Sequence, residues 1–478
     1  MQKKTVYLLV LILIASNLIT FLAVGAYYRG QEPALPPSEE QPPVQQEEEP
    51  AEELRPFLEV LDILSTRFIT EVSREELVTA GIRGMVDSLG DPQTYYLAED
   101  EYKEMMIKVD GTFSGIGVDI IAVDGYVTVV APIKNTPAER AGLLPGDRIV
   151  RVDGQEIIGF STVEAAKLMR GPAGTTVVLE VERDGFDELL KFEIVRENIV
   201  LPTVFTELGE DGIGYLQITN FSENTGEDFQ KALLKLETKG MRGLLLDLRD
   251  NPGGLLTEAV EVGQEIVPPG PITHVVDGRG NKLKTYNSYG TEKPYPIVVL
   301  VNGASASAAE IIAGALQDTG AGILVGTKTY GKATVQHLAS ISGNAGLSYT
   351  IAKYQTPLGR DIHGHGLEPD FTVELPEDYY YIKYGMMLKD VEPGTKEPAV
   401  LYLQKTLNAL GYSLAETSTY DSETEAAVRR FQQQNGLTAT GHLNQETRSL
   451  LAEKTAAILE ELDAQKQKAR EVLLEKMN

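Results

Sequence analysis

The stretch Val301-Asn302-Gly303-Ala304-Ser305-Ala306-Ser307-Ala308-Ala309-Glu310 places two serines in a run of small residues. The residues before it, Ile297–Val301, form a continuous apolar run typical of a buried strand, and a helical pattern follows. A serine at such a turn lies near the free backbone N–H groups of a helix N-terminus, where negative charge is favoured. The pattern therefore predicts an α/β fold with a serine hydroxyl between a strand and a helix.

A second stretch, Tyr330-Gly331-Lys332-Ala333-Thr334-Val335-Gln336, puts a lysine in a glycine turn. A serine needs a base to become a nucleophile, and a buried neutral lysine can be that base. The small neighbours of Lys332 allow its amine to be enclosed, and burial lowers a lysine pKa because desolvation disfavours the charged form. On this reasoning either Ser305 or Ser307 can be the nucleophile, and Gln336 can orient the amine.

Two glycine-containing loops are further candidate sites. The segment Asp247-Leu248-Arg249-Asp250-Asn251-Pro252-Gly253-Gly254 ends another buried strand, and glycine N–H groups there can hold the oxyanion of a tetrahedral intermediate. The segment Gly115-Ile116-Gly117-Val118 precedes an apolar β run, and its N–H groups can cap the carboxylate of a peptide that pairs with the strand edge. Each loop taken alone is also compatible with an ordinary turn.

Composition excludes several classes of function. The formal net charge of -27 argues against nucleic acid as a partner, because phosphate binding needs a basic face. The absence of cysteine excludes thiol catalysis, disulfides and cysteine-ligated zinc. The five histidines are scattered and include no His-Glu-x-x-His helix, so we expect no metal and no cofactor.

The N-terminal region contains an apolar run and an acidic linker. Lys3 and Lys4 precede an apolar run that is long enough to span a bilayer, and these lysines should stay cytoplasmic. We therefore expect residues 1–28 to be a cytoplasmic stub and transmembrane signal anchor in the cell membrane, with the rest of the chain on the extracytoplasmic side. Cleavage as a signal peptide, followed by secretion, is the alternative. Residues 29–54 contain six prolines and eight glutamates and should form an extended linker.

Patterning divides the remaining chain into five segments. Residues 55–104 have apolar positions at helical spacing, and residues 105–190 have short β runs between glycine turns. Residues 191–385 alternate buried strands with helical segments, as α/β proteins do. Two helical stretches fall within residues 391–452, and residues 453–478 are a charged helical segment, either a surface helix or a partner-binding tail.

The motifs of the serine and lysine stretches closely resemble those of the carboxyl-terminal processing proteases, also called tail-specific proteases. Members of that family have Ser-x-Ser-x-x-Glu, followed by a glycine-lysine pair and by a glutamine four residues later. The resemblance selects Ser307 over Ser305 as the nucleophile and implies Lys332 and Gln336 as its catalytic partners. It also implies an oxyanion hole formed by Gly253 and Ala308. The chain departs from most members at Ala309, where they have a third serine.

The same resemblance implies a PDZ domain at 105–190 that binds the hydrophobic C-terminus of a substrate and gates the active site. Its carboxylate loop would consist of Phe113, Ser114, Gly115, Ile116, Gly117 and Val118. Arg170 matches a position that can couple the PDZ groove to the protease. Residues 55–104 correspond to a dimerisation segment in the family, so we expect a homodimer.

A second resemblance covers residues 391–452 and is to peptidoglycan-binding domains. Apolar residues at helical spacing and three glycine-containing pairs carry it: Val400, Leu403, Leu407, Gly411-Tyr412, Ala427-Val428, Phe431, Gly436-Leu437 and Thr440-Gly441. We expect these apolar residues to form the core of a small three-helix domain, with peptidoglycan as a candidate partner. The serine- and threonine-rich link at 413–423 departs from the glycine and aspartate that members usually carry.

The expected fold is a multidomain α/β and α+β protein. It comprises an α/β Ser/Lys protease core with an inserted PDZ β-sandwich, an N-terminal helical segment, a C-terminal three-helix wall-binding domain and one transmembrane helix. The expected activity is that of a serine endopeptidase that recognises the C-terminus of its protein substrates. A non-catalytic, wall-tethered PDZ adaptor and a hydratase-like enzyme on a related α/β core are the alternatives.

Overall fold

The computed structural model describes residues 52–123, 125–183, 185–186, 188–385 and 391–478. The chain divides into two compact units, one ending at Val78 and the other running from Thr79 to Asn478. In the first unit a 3-10 turn (Glu52–Leu54) precedes helix α1 (Arg55–Arg67), and helix α2 (Arg74–Asp87) begins there.

The transmembrane helix in the predicted fold has to be corrected. A span needs about 20 consecutive, mostly apolar residues. Among the residues that the structure describes, no helix is long and apolar enough to cross a membrane, because even the 18-residue helix Gln445–Leu462 carries charged residues throughout. The segment predicted to span, within residues 1–28, lies outside the described residues.

The second unit contains all the strands that the structure describes and the remaining helices. Its strands are β1 (Tyr95–Leu97), β2 (Thr112–Gly115), β3 (Val118–Val123), β4 (Tyr126–Pro132), β5 (Arg148–Val152), β6 (Gln155–Glu156), β7 (Thr176–Glu182), β8 (Leu190–Val195), β9 (Glu197–Val200), β10 (Val204–Leu208), β11 (Ile213–Ile218), β12 (Gly243–Asp247), β13 (Gly270–Val276), β14 (Lys282–Ser288), β15 (Ile297–Val301), β16 (Gly322–Gly326), β17 (Thr334–Ile341), β18 (Ala345–Gln355) and β19 (Phe371–Thr372). Its helices are α3 (Glu99–Asp110), α4 (Pro137–Ala141), α5 (Thr162–Met169), α6 (Thr225–Thr238), α7 (Leu256–Ile266), α8 (Ala308–Thr319), α9 (Glu377–Gly385), α10 (Pro398–Ala409), α11 (Ser422–Gln434), α12 (Gln445–Leu462) and α13 (Ala464–Met477).

A six-stranded sheet in the order β10-β11-β12-β15-β16-β19 forms the centre of the α/β core. All its neighbours pair in parallel except β10 and β11. Strands β12 and β15 are buried along their whole length, as their continuous apolar runs predicted. Helices α6, α7 and α8 cover one face of the sheet, and α13 covers the other.

The last helix, α13, belongs to this core. Its residues Ala469, Val472 and Leu473 are buried in one cluster with Leu245 and Val298 of the central strands. Their spacing of three and four residues puts them on one face of the helix, which explains how a segment rich in Lys and Glu can cover a sheet.

A second, antiparallel sheet brings a distant segment to the core. Strands β14, β13, β18 and β1 are neighbours in that order, and β17 also pairs with β18. In the pairing of β1 with β18, Tyr95 lies opposite Ser348. The residues just before β1, which the sequence pattern placed in the helical segment 55–104, therefore lie beside this sheet. The same sheet contains β17, which begins just after Lys332.

The segment between α3 and β10 forms a separate β domain. Strands β3, β4, β5, β7 and β8 make an antiparallel sheet with helices α4 and α5, and the buried apolar residues form their own cluster. Strand β2 pairs with β9, so the chain runs into and out of this domain side by side.

Helices α10, α11 and α12 form a small domain with its own core, which includes Val400, Leu403, Leu407, Val428 and Phe431. It lies in the chain between α9 and α13. Because α13 packs on the central sheet, this domain is an insertion in the α/β core.

Candidate active site

Ser307 lies at the turn between β15 and α8, as the sequence predicted. Its backbone has φ 52 and ψ -116, a conformation that non-glycine residues rarely adopt and that costs about 1–3 kcal/mol. The residue is half-buried, and among the described residues its hydroxyl has no hydrogen-bond partner. The strained turn thus presents an unpaired hydroxyl at the N-terminus of a helix.

Ser305, the rival serine, has a different role. It is fully buried, and its hydroxyl donates to the Leu248 carbonyl at 2.7 Å and accepts from the Asn302 N–H at 2.9 Å. Its proton and one lone pair are thereby used in holding the loop together. Of the two serines, Ser307 is the one available for chemistry.

Gly253 and Ala308 lie next to Ser307. A Cβ atom placed on Gly253 would lie 2.7 Å from Ser307 Cβ and 2.9 Å from the Ala308 nitrogen, and the φ of Gly253 is +100. Only glycine fits there. Among the described residues none accepts a hydrogen bond from the Ala308 N–H, whereas the Gly253 N–H donates to Asn251 Oδ1 at 2.8 Å. One of the two expected oxyanion donors is therefore engaged in this conformation.

Lys332 follows Gly331, whose φ of +86 and close approach to the Gly366 nitrogen leave no room for a side chain. The lysine is half-buried, and desolvation lowers its pKa below the ordinary lysine value, while the negative charge of Asp91 acts in the opposite direction. Its amine has no ion-pair or hydrogen-bond partner among the described residues, Ser307 included. A lysine in this environment is easier to deprotonate than a solvated one.

Glu310, the last residue of the serine motif, links the two loops, a role that the sequence analysis did not assign. It is fully buried, and one carboxylate oxygen accepts from the backbone N–H of Ser307 and of Lys332, both at 2.9 Å. The other oxygen accepts from the Gly331 N–H at 2.8 Å and from the Thr329 hydroxyl at 2.5 Å. The spacing of Glu310 three residues after Ser307, typical of a capping box, was the signal available in the sequence.

Tyr354 links the same two residues from their carbonyl side. Its buried hydroxyl lies 3.0 Å from the Ser307 carbonyl oxygen and 2.8 Å from the Lys332 carbonyl oxygen, and it shares its one proton between them. Burial, reinforced by the charge of Glu310, raises the pKa of this phenol well above its usual range, so the proton stays in place. The backbones of Ser307 and Lys332 are thus held together at both their N–H and C=O groups.

Gln336 lies on β17, and among the described residues no hydrogen bond joins its side chain to the Lys332 amine. Its side-chain nitrogen lies 3.3 Å from the Thr350 hydroxyl, which in turn donates to Asp91 at 2.6 Å. Burial would raise the pKa of Asp91, but hydrogen bonds from Thr350 and Thr94 outweigh it and lower that pKa. Asp91 is therefore a negative charge near Lys332 that the sequence analysis missed, because it comes from a turn far away in the chain.

Four of the six residues predicted for the carboxylate loop, Phe113, Ile116, Gly117 and Val118, line a cavity of about 270 Å³, whereas Ser114 and Gly115 do not line it. Phe113, Ser114 and Gly115 lie on β2, Ile116 and Gly117 form the turn, and Val118 begins β3. Gly117 has a φ of +75, and a Cβ there would lie 2.4 Å from Thr136 Cβ. The cavity is bounded on its other side by α5, as a peptide groove between a strand and a helix requires.

Arg170 ends α5 at the edge of this cavity. Its guanidinium forms an ion pair with Glu104 of α3 and lies 5.4 Å from the centre of the Phe113 ring. Arg170 therefore connects the groove to the helix through which the chain reaches the domain.

Comparison with known proteins agrees with this architecture. Models of peptidase family S41, of a PDZ domain and of a peptidoglycan binding domain match residues 212–373, 128–183 and 396–451. A model of the N-terminal domain of the activating protease CtpB matches residues 13–101. The carboxy-terminal processing protease CtpA of Bacillus subtilis (strain 168) is 35% identical over 415 residues, which cover 87% of this chain and 89% of that protein.

The chain belongs to the carboxy-terminal processing proteases. CtpB of the same organism is 34% identical over 82% of both chains. The solved photosystem II D1 C-terminal processing protease is 28% identical, with coverage of 68% of this chain and 95% of that one and a TM-score of 0.40. Membership confirms the predicted serine-type endopeptidase with a PDZ domain and a peptidoglycan-binding domain.

Proposed function

We propose that this protease cleaves its substrates with Ser307 as the nucleophile and Lys332 as the general base. The observation that carries the proposal is the double link between the two residues, since Glu310 accepts from both N–H groups and the Tyr354 hydroxyl shares its proton between both carbonyls. Such a frame fixes a nucleophile and its base relative to each other. The lowered pKa of Lys332 supplies the neutral amine that a base requires.

In the proposed reaction the Ser307 oxygen attacks the scissile carbonyl while the Lys332 amine takes the hydroxyl proton. The C–N bond then breaks, the amine product leaves with that proton, and an acyl-enzyme remains. Water then attacks the acyl carbon while the Lys332 amine takes one of its protons. The ester bond to the Ser307 oxygen breaks, the acid product leaves, and Lys332 returns the proton to that oxygen. The amine must first turn to within hydrogen-bond reach of the hydroxyl, and catalytic hydrogen bonds often form only with substrate in place.

The Ala308 N–H, at the first turn of α8, is available to the oxyanion that forms in the attack. The Gly253 N–H is the second donor: its hydrogen bond to Asn251 Oδ1 breaks, and it donates to the oxyanion instead. Gln336 completes the site by turning from Thr350 to the Lys332 amine once that amine has moved. No cofactor takes part in these steps.

The groove of the PDZ domain would receive an apolar substrate C-terminus. The terminal carboxylate would be capped by the N–H groups of the Phe113–Val118 loop, and the peptide would pair with the edge of β3. Arg170, which is paired with Glu104 in this conformation, would couple peptide binding to the protease core.

We place the catalytic domain outside the cytoplasmic membrane, where a peptidoglycan-binding domain meets its ligand, as the match to residues 396–451 suggests. We also propose a homodimer formed through residues 55–104. Helix α1 exposes Phe57, Val60 and Ile63 to 43%, 55% and 50%, and a second copy of the chain would cover them.

The full chain and its Ser307→Ala and Lys332→Ala variants test the catalytic roles with a peptide that has an apolar C-terminus. We expect both variants to lose cleavage and labelling by a fluorophosphonate while they still bind the peptide. Lys328→Ala is the matched control, because Lys328 lies in the same loop but pairs with Glu368 at the surface. Retained turnover in either variant would exclude the dyad, and an unlabelled wild-type protein that binds the peptide would favour the adaptor.

A further inference from the structure

The loop that carries Gly253 also supports the serine loop. The Asp250 N–H donates to Asn302 Oδ1 at 3.0 Å, and Asn302 Nδ2 donates to the Asp250 carboxylate at 2.9 Å. The Ala306 N–H donates to the Asn251 carbonyl at 2.9 Å, and Ser305 donates to the Leu248 carbonyl at 2.7 Å. A shift of the loop between β12 and α7 therefore moves the turn that bears the nucleophile.

This supporting loop is itself held from outside by two ion pairs. Arg249, nearly buried, contacts Asp463 through two hydrogen bonds of 2.9 Å. Asp250, which has a positive φ, accepts from the Lys383 amine at 2.7 Å. The two neighbouring loop residues thus each pair with a residue from the C-terminal part of the chain, and Arg249 also pairs with Asp247 at 2.7 Å.

The two partners, Lys383 and Asp463, lie at opposite ends of the inserted peptidoglycan-binding domain in the chain. Lys383 is on α9, just before that domain, and Asp463 joins its last helix α12 to the core helix α13. Helix α9 is also docked on the domain, since Asp378 pairs with Lys405 at 3.0 Å and the rings of Tyr381 and Tyr402 lie 5.1 Å apart. The domain is therefore attached to the core by two points that converge on one catalytic loop.

We propose that Asp463 and Lys383 are positioning residues of the protease, which hold the Gly253 loop and, through it, Ser307 in a productive arrangement. The inference rests on the proposed catalytic role of Ser307. It gives the inserted domain a mechanical connection to catalysis, because any ligand that displaces the domain must act on these two ion pairs.

The test measures kcat, KM and the rate of fluorophosphonate labelling in full-length Asp463→Asn and Lys383→Gln. Asparagine caps a helix as well as aspartate does, so α13 keeps its N-cap bond to the Lys466 N–H while the ion pair loses its charge. We expect kcat and labelling to fall about tenfold in Asp463→Asn, less than when an oxyanion donor is removed outright. Lys383→Gln, at a more exposed pair, should lose about threefold, and KM should stay unchanged in both.

Arg470→Gln is the matched control. It removes another ion pair between α13 and the core, that of Arg470 with Asp211 at 2.5 Å, but Asp211 precedes β11 and so lies at the opposite end of the parallel strands from Asp247. Its kcat should equal that of the wild type. The inference is wrong if both test variants keep wild-type kcat, or if their losses follow only the unfolded fraction measured by calorimetry. Failure of the catalytic proposal is separate, because it would appear as turnover in Ser307→Ala.

Discussion

Replacing Tyr354 by phenylalanine removes one oxygen atom from the centre of the active-site frame. The hydroxyl shares its one proton between the Lys332 carbonyl at 2.8 Å and the Ser307 carbonyl at 3.0 Å. The Ser307 carbonyl also accepts from the N–H groups of Glu310 and Ile311, so it keeps partners in the variant. The Lys332 carbonyl loses its partner, which costs about 1–3 kcal/mol, so we expect a destabilisation of that size.

The catalytic effect should be separate from the loss of stability. Because phenylalanine fills the same volume, the core stays packed, but Ser307 and Lys332 are then linked only through Glu310. A small misplacement of reacting groups costs up to about a hundredfold in rate. We expect kcat to fall by about ten- to a hundredfold with KM unchanged, because the PDZ groove is untouched.

Steady-state kinetics on a peptide substrate, together with scanning calorimetry to resolve the domain transitions, would measure both effects. Tyr420→Phe is the matched control, since Tyr420 is an equally buried tyrosine whose hydroxyl donates to the Gly441 carbonyl at 2.7 Å in the peptidoglycan-binding domain. It should lower the stability of that domain and leave kcat unchanged. A Tyr354→Phe enzyme that is destabilised but has wild-type kcat would refute the reasoning.

Two further variants address the base and the oxyanion loop. Asp91→Asn removes the negative charge that raises the pKa of Lys332, so that pKa should fall further. The acidic limb of the pH profile of kcat/KM should then move to lower pH. An unchanged limb would mean that the Lys332 amine does not determine it. Gly253→Ala places a methyl group 2.7 Å from Ser307 Cβ and should reduce turnover at least about a hundredfold without loss of peptide binding. Gly240→Ala, at a φ of +87 with open space around it, separates backbone strain from crowding, and equal losses in the two glycine variants would argue against a specific role for Gly253.

Local patterns in the sequence predicted the elements that carry the reacting groups. The apolar run of β15 and the small residues after it place Ser307 at a strand-to-helix turn, and the structure has that turn. Glycine at 331 predicted a turn before Lys332, and a positive φ is found there. These predictions succeed because burial and turn geometry depend on neighbouring residues, whose identities are visible within a short window.

The choice between the two serines needed more than spacing. Ser305 and Ser307 are equivalent as residue types in a small-residue turn, and only the family motif separated them in the sequence. In the structure Ser305 bonds to Leu248 of a neighbouring strand end, 57 residues away in the chain. A contact between residues so far apart in the chain cannot be inferred from the local pattern of a single sequence.

Adjacent side chains specify a strand, a turn and a helix N-terminus, and they therefore indicate which residues can react. Only the tertiary structure shows which residues fix their positions and which residue shifts the pKa of Lys332. Asp91 reaches the sheet beside Lys332 through Thr350, 259 residues along the chain, and Asp463 reaches Arg249 across 214 residues. Such pairs form only when separate elements pack together, since their proximity is set by the fold of the whole core and not by any periodicity within a segment.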